Sequence, residues 1–375
     1  MNLKSVLDRI QADLKIRLKS WRCSQKIVVI ESDDWGSIRT ASADAYRQLC
    51  DHGYRMEHSN YSLDSLETED DLHALYDVLR SVKDCQGKPA SITANMIMAN
   101  PDFRLIKESH FTEYQYESVL KTLSSKNRNK VKEIWEQGRK DHLFMPQFHG
   151  REHVRYWKWL DDLRSSNFEA LETFELGMCG VPQNASKSGT SYYSPPYQTD
   201  EELGKRNIDI KKVISEGISM FTNIFGEKPE SAIAPNYTWT DAVEKIWAEN
   251  NVRFIQGMKY QYHGTMDCKS SHFLGEKNKY GQIYLVRNAH FEPSEGNADC
   301  VNLCLAQISS AFRQNMPAII SSHRVNYMGC IKESNRKKGL EQLELLLRNI
   351  TSKWPDMCFL TTPELGKLIL ESKLQ

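Results

Sequence analysis

The stretch "IVVIESDDWGS" (residues 27–37) is apolar and β-branched until it ends in two adjacent aspartates, Asp33 and Asp34. Neighbouring carboxylates repel. The end of a buried strand is a costly place to keep both ionised unless a cation stands beside them. In "MPQFHGREHV" two histidines, His149 and His153, lie four apart. If a helical turn begins near Gly150, both imidazoles project from one side and can hold a single metal ion. "AIAPNYTW" puts Pro235 and Tyr237 at a turn, and "AIISSHRVNY" delivers His323 at the end of a late β-like run. Each has a plain reading by itself: aspartate pairs cap turns and helices, and single histidines are mostly surface or hydrogen-bonded core groups. Together, each following a β-like run, they are expected to converge on one mouth.

Something must carry them there. Short β-rich runs at 26–32, 91–97, 143–149, 231–234, 253–257, 282–287, 317–322 and 357–361 alternate with helical patterns. "TEDD" opens a helix over 68–82. Residues 208–225 carry Ile210, Val213, Ile214, Ile218, Phe221 and Ile224 on one helical face and stop at Gly226. Stretches 300–314 and 339–353 behave similarly. Strands separated by helices imply crossovers and a mainly parallel α/β sheet, open or closed into a barrel, with its chemistry at the carboxyl ends of the strands. Residues 180–202 have the composition of a long loop, either a lid or a disordered excursion.

Composition narrows the classes. The 375 residues hold 49 Lys+Arg and 49 Asp+Glu, so no nucleic-acid partner is expected. Nine scattered cysteines without a CxxC pair argue for reduced thiols and a cytoplasmic location, against a disulfide framework or zinc ribbon. No run of about 18 apolar residues predicts a spanning helix. Leu3, Leu7, Ile10, Leu14, Leu18 and Trp21 recur at helical spacing among Lys and Arg. Residues 1–25 are therefore expected to form an amphipathic helix, packed on the body or resting on an anionic membrane surface. Residues 26–375 are expected to form one domain.

The order of motifs, an Asp-Asp pair, His-x-x-x-His, a Pro/Tyr turn and a late His, resembles the polysaccharide deacetylase superfamily (NodB-homology, carbohydrate esterase 4) over residues 27–327. The wording "ESDDWG" and "FHGREH" looks like bacterial polysaccharide (de)acetylase-like proteins of surface-glycan loci. The resemblance implies a distorted (β/α)7 barrel with inserted loops and helices. It implies one divalent ion on Asp34, His149 and His153, Zn²⁺ by default, with Co²⁺, Mn²⁺ or Ni²⁺ able to serve. Asp33 would be the base toward metal-bound water, His323 the acid, and the backbone N–H of Tyr237 the oxyanion donor. The implied reaction removes an N- or O-acetyl group from a sugar, nucleotide sugar or glycan intermediate. Arg287 and His290, in "VRNAHFEP", are candidates to line the substrate cleft with Glu292, and Trp35 to stack on a sugar or fill the mouth.

The pattern also departs from the family. Ala234 stands where the family carries an arginine that orients the base, and Arg151 or Arg324 is the expected replacement. The motif that supports the acid histidine has no counterpart near "FIQGMKYQYHG". Two other readings therefore stand beside the deacetylase: a non-catalytic relative that holds metal and glycan, and a hydrolase of another non-peptide C–N bond.

Overall fold

Near-continuous apolar runs suit strands buried on both faces, and that is how they are used. The computed structural model describes residues 3–195, 204–206, 208–264 and 268–372. All nine residues of β1 (Ile27–Trp35) and all six of β2 (Ile92–Ile97) are buried. There follow β3 (Phe144–Gly150), β4 (Ser231–Ala232), β5 (Phe254–Gly257), β6 (Ile283–Val286), β7 (Ala289–His290), β8 (Ala318–His323) and β9 (Cys358–Phe359). Each candidate β-run overlaps one of these strands, and only β7 lies outside them.

The strands form one parallel sheet in the order β6-β5-β4-β3-β2-β1-β8-β7, with β9 added to β1. Its two ends, β6 and β7, are separated in the chain by Arg287 and Asn288 alone. Arg287 N donates to Gly257 O (2.9 Å) on one side, and Asn288 N to Ile319 O (3.0 Å) on the other. One bent run thus pairs with both edges and closes the ring. The fold is a distorted (β/α)7 barrel, and Arg287 sits at its seam.

Helices cover the outside. Glu69–Ser81 begins with a capping box: Thr68 Oγ1 accepts from Asp71 N, and Asp71 Oδ2 accepts from Thr68 N. Ile210–Phe225 buries Val213, Ile214, Ile218, Phe221 and Ile224 and ends at Gly226 in the left-handed region. Two antiparallel hairpins, Ala99–Pro101 with Tyr116–Ser118 and Tyr260–Tyr262 with Lys269–Ser271, were not apparent from periodicity, being only three residues per strand.

The interior of the barrel is polar. Asn95 and Gln256 exchange hydrogen bonds (2.8 and 2.9 Å), Gln256 donates to Ser231 Oγ (2.8 Å), and Ser231 N and Oγ donate to Gln147 Oε1 (2.7 and 2.9 Å). All four are buried, and the network costs little because its members are paired. It forms a fixed polar floor below the mouth.

The N-terminal helix (Leu3–Lys19) lies on the body by its polar side. Asp13 meets Lys259 (2.5 Å), and Lys15 meets Ser271 O (2.6 Å) and Glu276 (3.0 Å). The stripe Leu7, Ile10, Leu14 and Leu18 is 49–76% exposed. Packing of that stripe on the domain, one of the two expectations, is not what the fold does. The loop expected over 180–202 is described through residue 195, and its remainder lies outside the described residues. Its described part is built in: Val181, Ala185, Tyr192 and Tyr193 are buried. No helix among the described residues is long and apolar enough to cross a membrane.

Candidate metal centre

Two adjacent residues of a regular strand face opposite ways, so Asp33 and Asp34 need a local irregularity to share one mouth. The β1–β2 register shifts between Ser32 and Trp35, and Asp34 takes a left-handed backbone (φ 75°). Gly36 makes the next turn with φ 83°, where a Cβ would lie 2.5 Å from Ile97 O, so glycine is required there. Asp33 stays in register with His323 on the adjacent β8.

Asp34 Oδ1 lies 3.4 Å from His149 Nε2 and 3.6 Å from His153 Nε2, and all three side chains are buried. His149 Nδ1 is 3.0 Å from Ile233 O. A carbonyl can only accept, so Nδ1 carries a proton and Nε2 is the ring nitrogen turned toward the cluster. Burial, with help from Arg39 and His149, pushes His153 down to about 3, so that imidazole is neutral near pH 7. Asp34 is held well below the usual carboxylate range: burial opposes this, but Arg39 and the two histidines outweigh it. Asp34 Oδ1 is buried with no hydrogen-bond partner. Three atoms able to ligate a metal thus face one another within 4.8 Å, an arrangement that suits a divalent cation. The residues fit such an ion. The expected helical turn at Gly150 does not form: His149 is the penultimate residue of β3 and residues 151–155 are irregular, so strand end plus loop bring the imidazoles together.

Beside the cluster, Asp33 is gripped by Arg287, with Nη2 to Oδ1 at 2.7 Å and Nη1 to Oδ2 at 2.8 Å, and Asn95 Nδ2 donates to Oδ1 (2.7 Å). Arg287 Nε also meets Glu31 Oε2 (2.6 Å). Burial opposes its ionisation, yet Arg287 drives Asp33 far below the usual range, while Glu31 is pushed up by burial in spite of the same arginine. Asp33 is therefore the main counter-charge. This keeps it ionised and in one orientation, at some loss of basicity. Removing Arg287 leaves buried carboxylate unpaired. Arg287→Met is expected to destabilise the fold by about 3–5 kcal/mol in urea unfolding; an unchanged midpoint would refute this pairing.

His323 Nε2 is 3.8 Å from Asp33 Oδ2, and its Nδ1 is 2.6 Å from Glu292 Oε1. Burial disfavours the imidazolium, but Glu292, then Asp33 and Asp34, raise it to about 9. It is a protonated acid at neutral pH. Asn326 Nδ2 holds the other Glu292 oxygen (2.6 Å). Glu292 thus supports the acid from the "HFEP" segment, some thirty residues beyond the stretch where a supporting group was sought. Tyr61, which no motif signals, packs edge-on to His323 at 5.4 Å.

The remaining candidates are placed as follows. Tyr237 N donates to Ala234 O (3.1 Å), so this amide is taken, and its hydroxyl instead lies 3.2 Å from Arg287 Nη1. The Arg287 side chain is 0% exposed and committed to Asp33 and Glu31, and it supplies from the barrel seam the grip expected of Arg151 or Arg324. Arg151 is occupied by Glu152 and Glu216 (2.5 Å each), and it faces a cavity of about 490 Å³ with Tyr116 and Trp157. Arg324 is 0% exposed, locked on Asp64 (3.0 Å) and Glu67 (2.7 Å). Trp35 fills the core, edge-on to Phe144 at 5.0 Å, and offers no face to a sugar. The His290 side chain is 48% exposed beside Glu295 (3.6 Å) and is not drawn into the cluster.

These features define a distorted (β/α)7 barrel with an Asp-His-His group at the mouth. Among solved structures, a protein of Parabacteroides distasonis provisionally assigned as a glycoside hydrolase/deacetylase shares this fold, at TM-score 0.51 and 9% identity over 93% of this chain and 72% of that one. A provisionally assigned polysaccharide deacetylase from Mycobacterium smegmatis matches at TM-score 0.44 and 11% identity over 95% and 94%. The family 4 carbohydrate esterase of Streptomyces lividans, solved with acetate, matches at 0.37 and 8% over 92% and 96%. No family model and no curated protein matches the sequence.

Proposed function

We propose that this protein is a metal-dependent hydrolase that removes an N- or O-acetyl group from a sugar, nucleotide sugar or glycan precursor. One observation carries the reading: an unpartnered Asp34 oxygen aimed at two buried imidazoles, beside an ionised Asp33 and a protonated His323. The assigned activity of the Parabacteroides protein agrees with it. A divalent cation on Asp34, His149 and His153, Zn²⁺ by preference and Co²⁺, Mn²⁺ or Ni²⁺ as alternatives, would supply Lewis acidity toward a carbonyl and toward water.

The side chains do the rest. Asp33 accepts a proton as water adds to the acetyl carbon, and Asn95 and Arg287 hold it still while it does so. The Tyr237 hydroxyl, kept neutral chiefly by burial, is a donor at the mouth. His323 gives its proton to the departing nitrogen or oxygen as the acyl bond breaks, leaving acetate and a free amine or alcohol. A non-catalytic relative that binds metal and glycan has one point in its favour, the low basicity of Asp33. Acetate release from chitooligosaccharides, UDP-N-acetylhexosamines and capsule fragments separates the two. Inertness of the native chain and of Asp33→Asn alike across that panel, with metal and sugar still bound, would favour the binder; release of another group would favour a different C–N hydrolase.

All nine cysteines are free, which supports a reducing compartment such as the cytoplasm. The exposed aliphatic stripe of the N-terminal helix suits a lipid surface and, with it, a lipid-linked intermediate. The full chain should then sediment with anionic vesicles and a chain lacking residues 1–22 should not; equal sedimentation removes this part of the proposal.

A further inference from the structure

Asp34 uses its two oxygens differently, and the cause is Arg39. Arg39 Nη2 donates to Asp34 Oδ2 at 2.9 Å, while Oδ1 is left to face the histidines. On its other side the guanidinium approaches Asp64 Oδ2 (3.3 Å), and Asp64 accepts in turn from Arg324 Nε (3.0 Å). The rings of Tyr61 and Tyr193 flank it, 5.1 and 4.6 Å from the guanidinium carbon. The Tyr193 hydroxyl also donates to Arg39 O (3.1 Å). Packed among two aromatic rings and two carboxylates, this arginine has little freedom to swing away.

From this geometry we infer that Arg39 is a positioning residue that holds Asp34 to one-oxygen ligation of the cation. The inference rests on the metal reading above. A carboxylate free at both oxygens can bind a cation through both, filling a position that water and substrate need. With Oδ2 engaged, the protein offers three donor atoms and the centre stays open. Two effects oppose each other. The guanidinium charge repels a nearby cation, whereas fixed orientation favours binding. Asp64 offsets much of the charge, and partners that orient a ligand are commonly worth 10- to 100-fold in metal affinity. Orientation is expected to win.

The test is a titration of chelator-stripped full-length protein with Zn²⁺, read against a competing chromophoric chelator. Arg39→Met should bind about 10- to 100-fold more weakly than the native chain. Arg39→Lys, which keeps the charge but has a single arm, should weaken binding in the same direction and serves if the methionine variant does not fold. Tyr193→Phe, which removes only the hydroxyl tie, should bind as the native chain does. Unchanged or tighter binding by both Arg39 variants overturns the inference. A native chain that takes up no Zn²⁺ overturns the metal reading beneath it instead.

Discussion

Asp33→Asn lowers acetate release by about 10²- to 10⁴-fold, the range a positioned general base supplies, with the metal content of the protein unchanged. The asparagine keeps the volume, and its carbonyl can still accept from Arg287 Nη2 and Asn95, but its amide nitrogen faces Arg287 Nη1, so some stability is lost, and it cannot take a proton from water. The separation of effects is the point: Asp33 touches Arg287, Asn95 and His323, whereas the donor atoms of the cluster belong to Asp34, His149 and His153. Measured by acetate release alongside metal analysis, a variant that lost the ion together with activity would show that the two aspartates are not divided in this way.

The second large effect concerns His323. His323→Asn is expected to lose a similar factor at neutral pH, because it removes the one protonated imidazole placed beside Asp33. The pH profile is the sharper readout. With the imidazolium as the proposed acid and its value near 9, activity on the basic side should fall as pH rises through about 9. The stability that protonation contributes has the same sign. The folded value lies above that of an exposed histidine, so the contribution is full below about 6.5 and lost as pH rises through about 9. Glu292 is the principal group holding the value up. Glu292→Gln should therefore move the basic limb down by on the order of two pH units and depress activity at pH 8 more than at pH 6. A limb that stays in place would mean that another group donates the proton.

How much of this was legible in the chain follows from the range of the interactions. The strands could be read because a run such as "KIVVIES" is buried on both faces and needs no partner to announce itself. The clustering of the candidate residues could be anticipated because parallel barrels place chemistry at strand ends, and Asp33, Asp34, His149 and His323 all stand at or near one. The Asp34 bulge could not, since nothing in "SDDWGS" distinguishes two carboxylates facing one mouth from two facing opposite sides. Nor could the supporting shell. Arg287 meets Asp33 across 254 residues of chain, and Arg324 meets Asp64 across 260. Adjacency to the histidines made Arg151 and Arg324 the natural replacements for the arginine missing at Ala234. Closure of the barrel brings a different arginine there, from the seam between β6 and β7. The amide of Tyr237 was lost to local geometry of the same hidden kind, a tight turn that returns it to Ala234 O. Arg39 carries no motif at all; only the folded mouth shows that it takes one oxygen of Asp34.

Whether Asp34 and the two imidazoles share an ion decides most of the foregoing, and elemental analysis of the purified chain after equilibration with Zn²⁺ and removal of the excess answers it. The native protein should retain close to one equivalent, and His149→Ala, still folded, almost none. Equal zinc in the two, or none in either, would leave the mouth of this barrel without its chemistry.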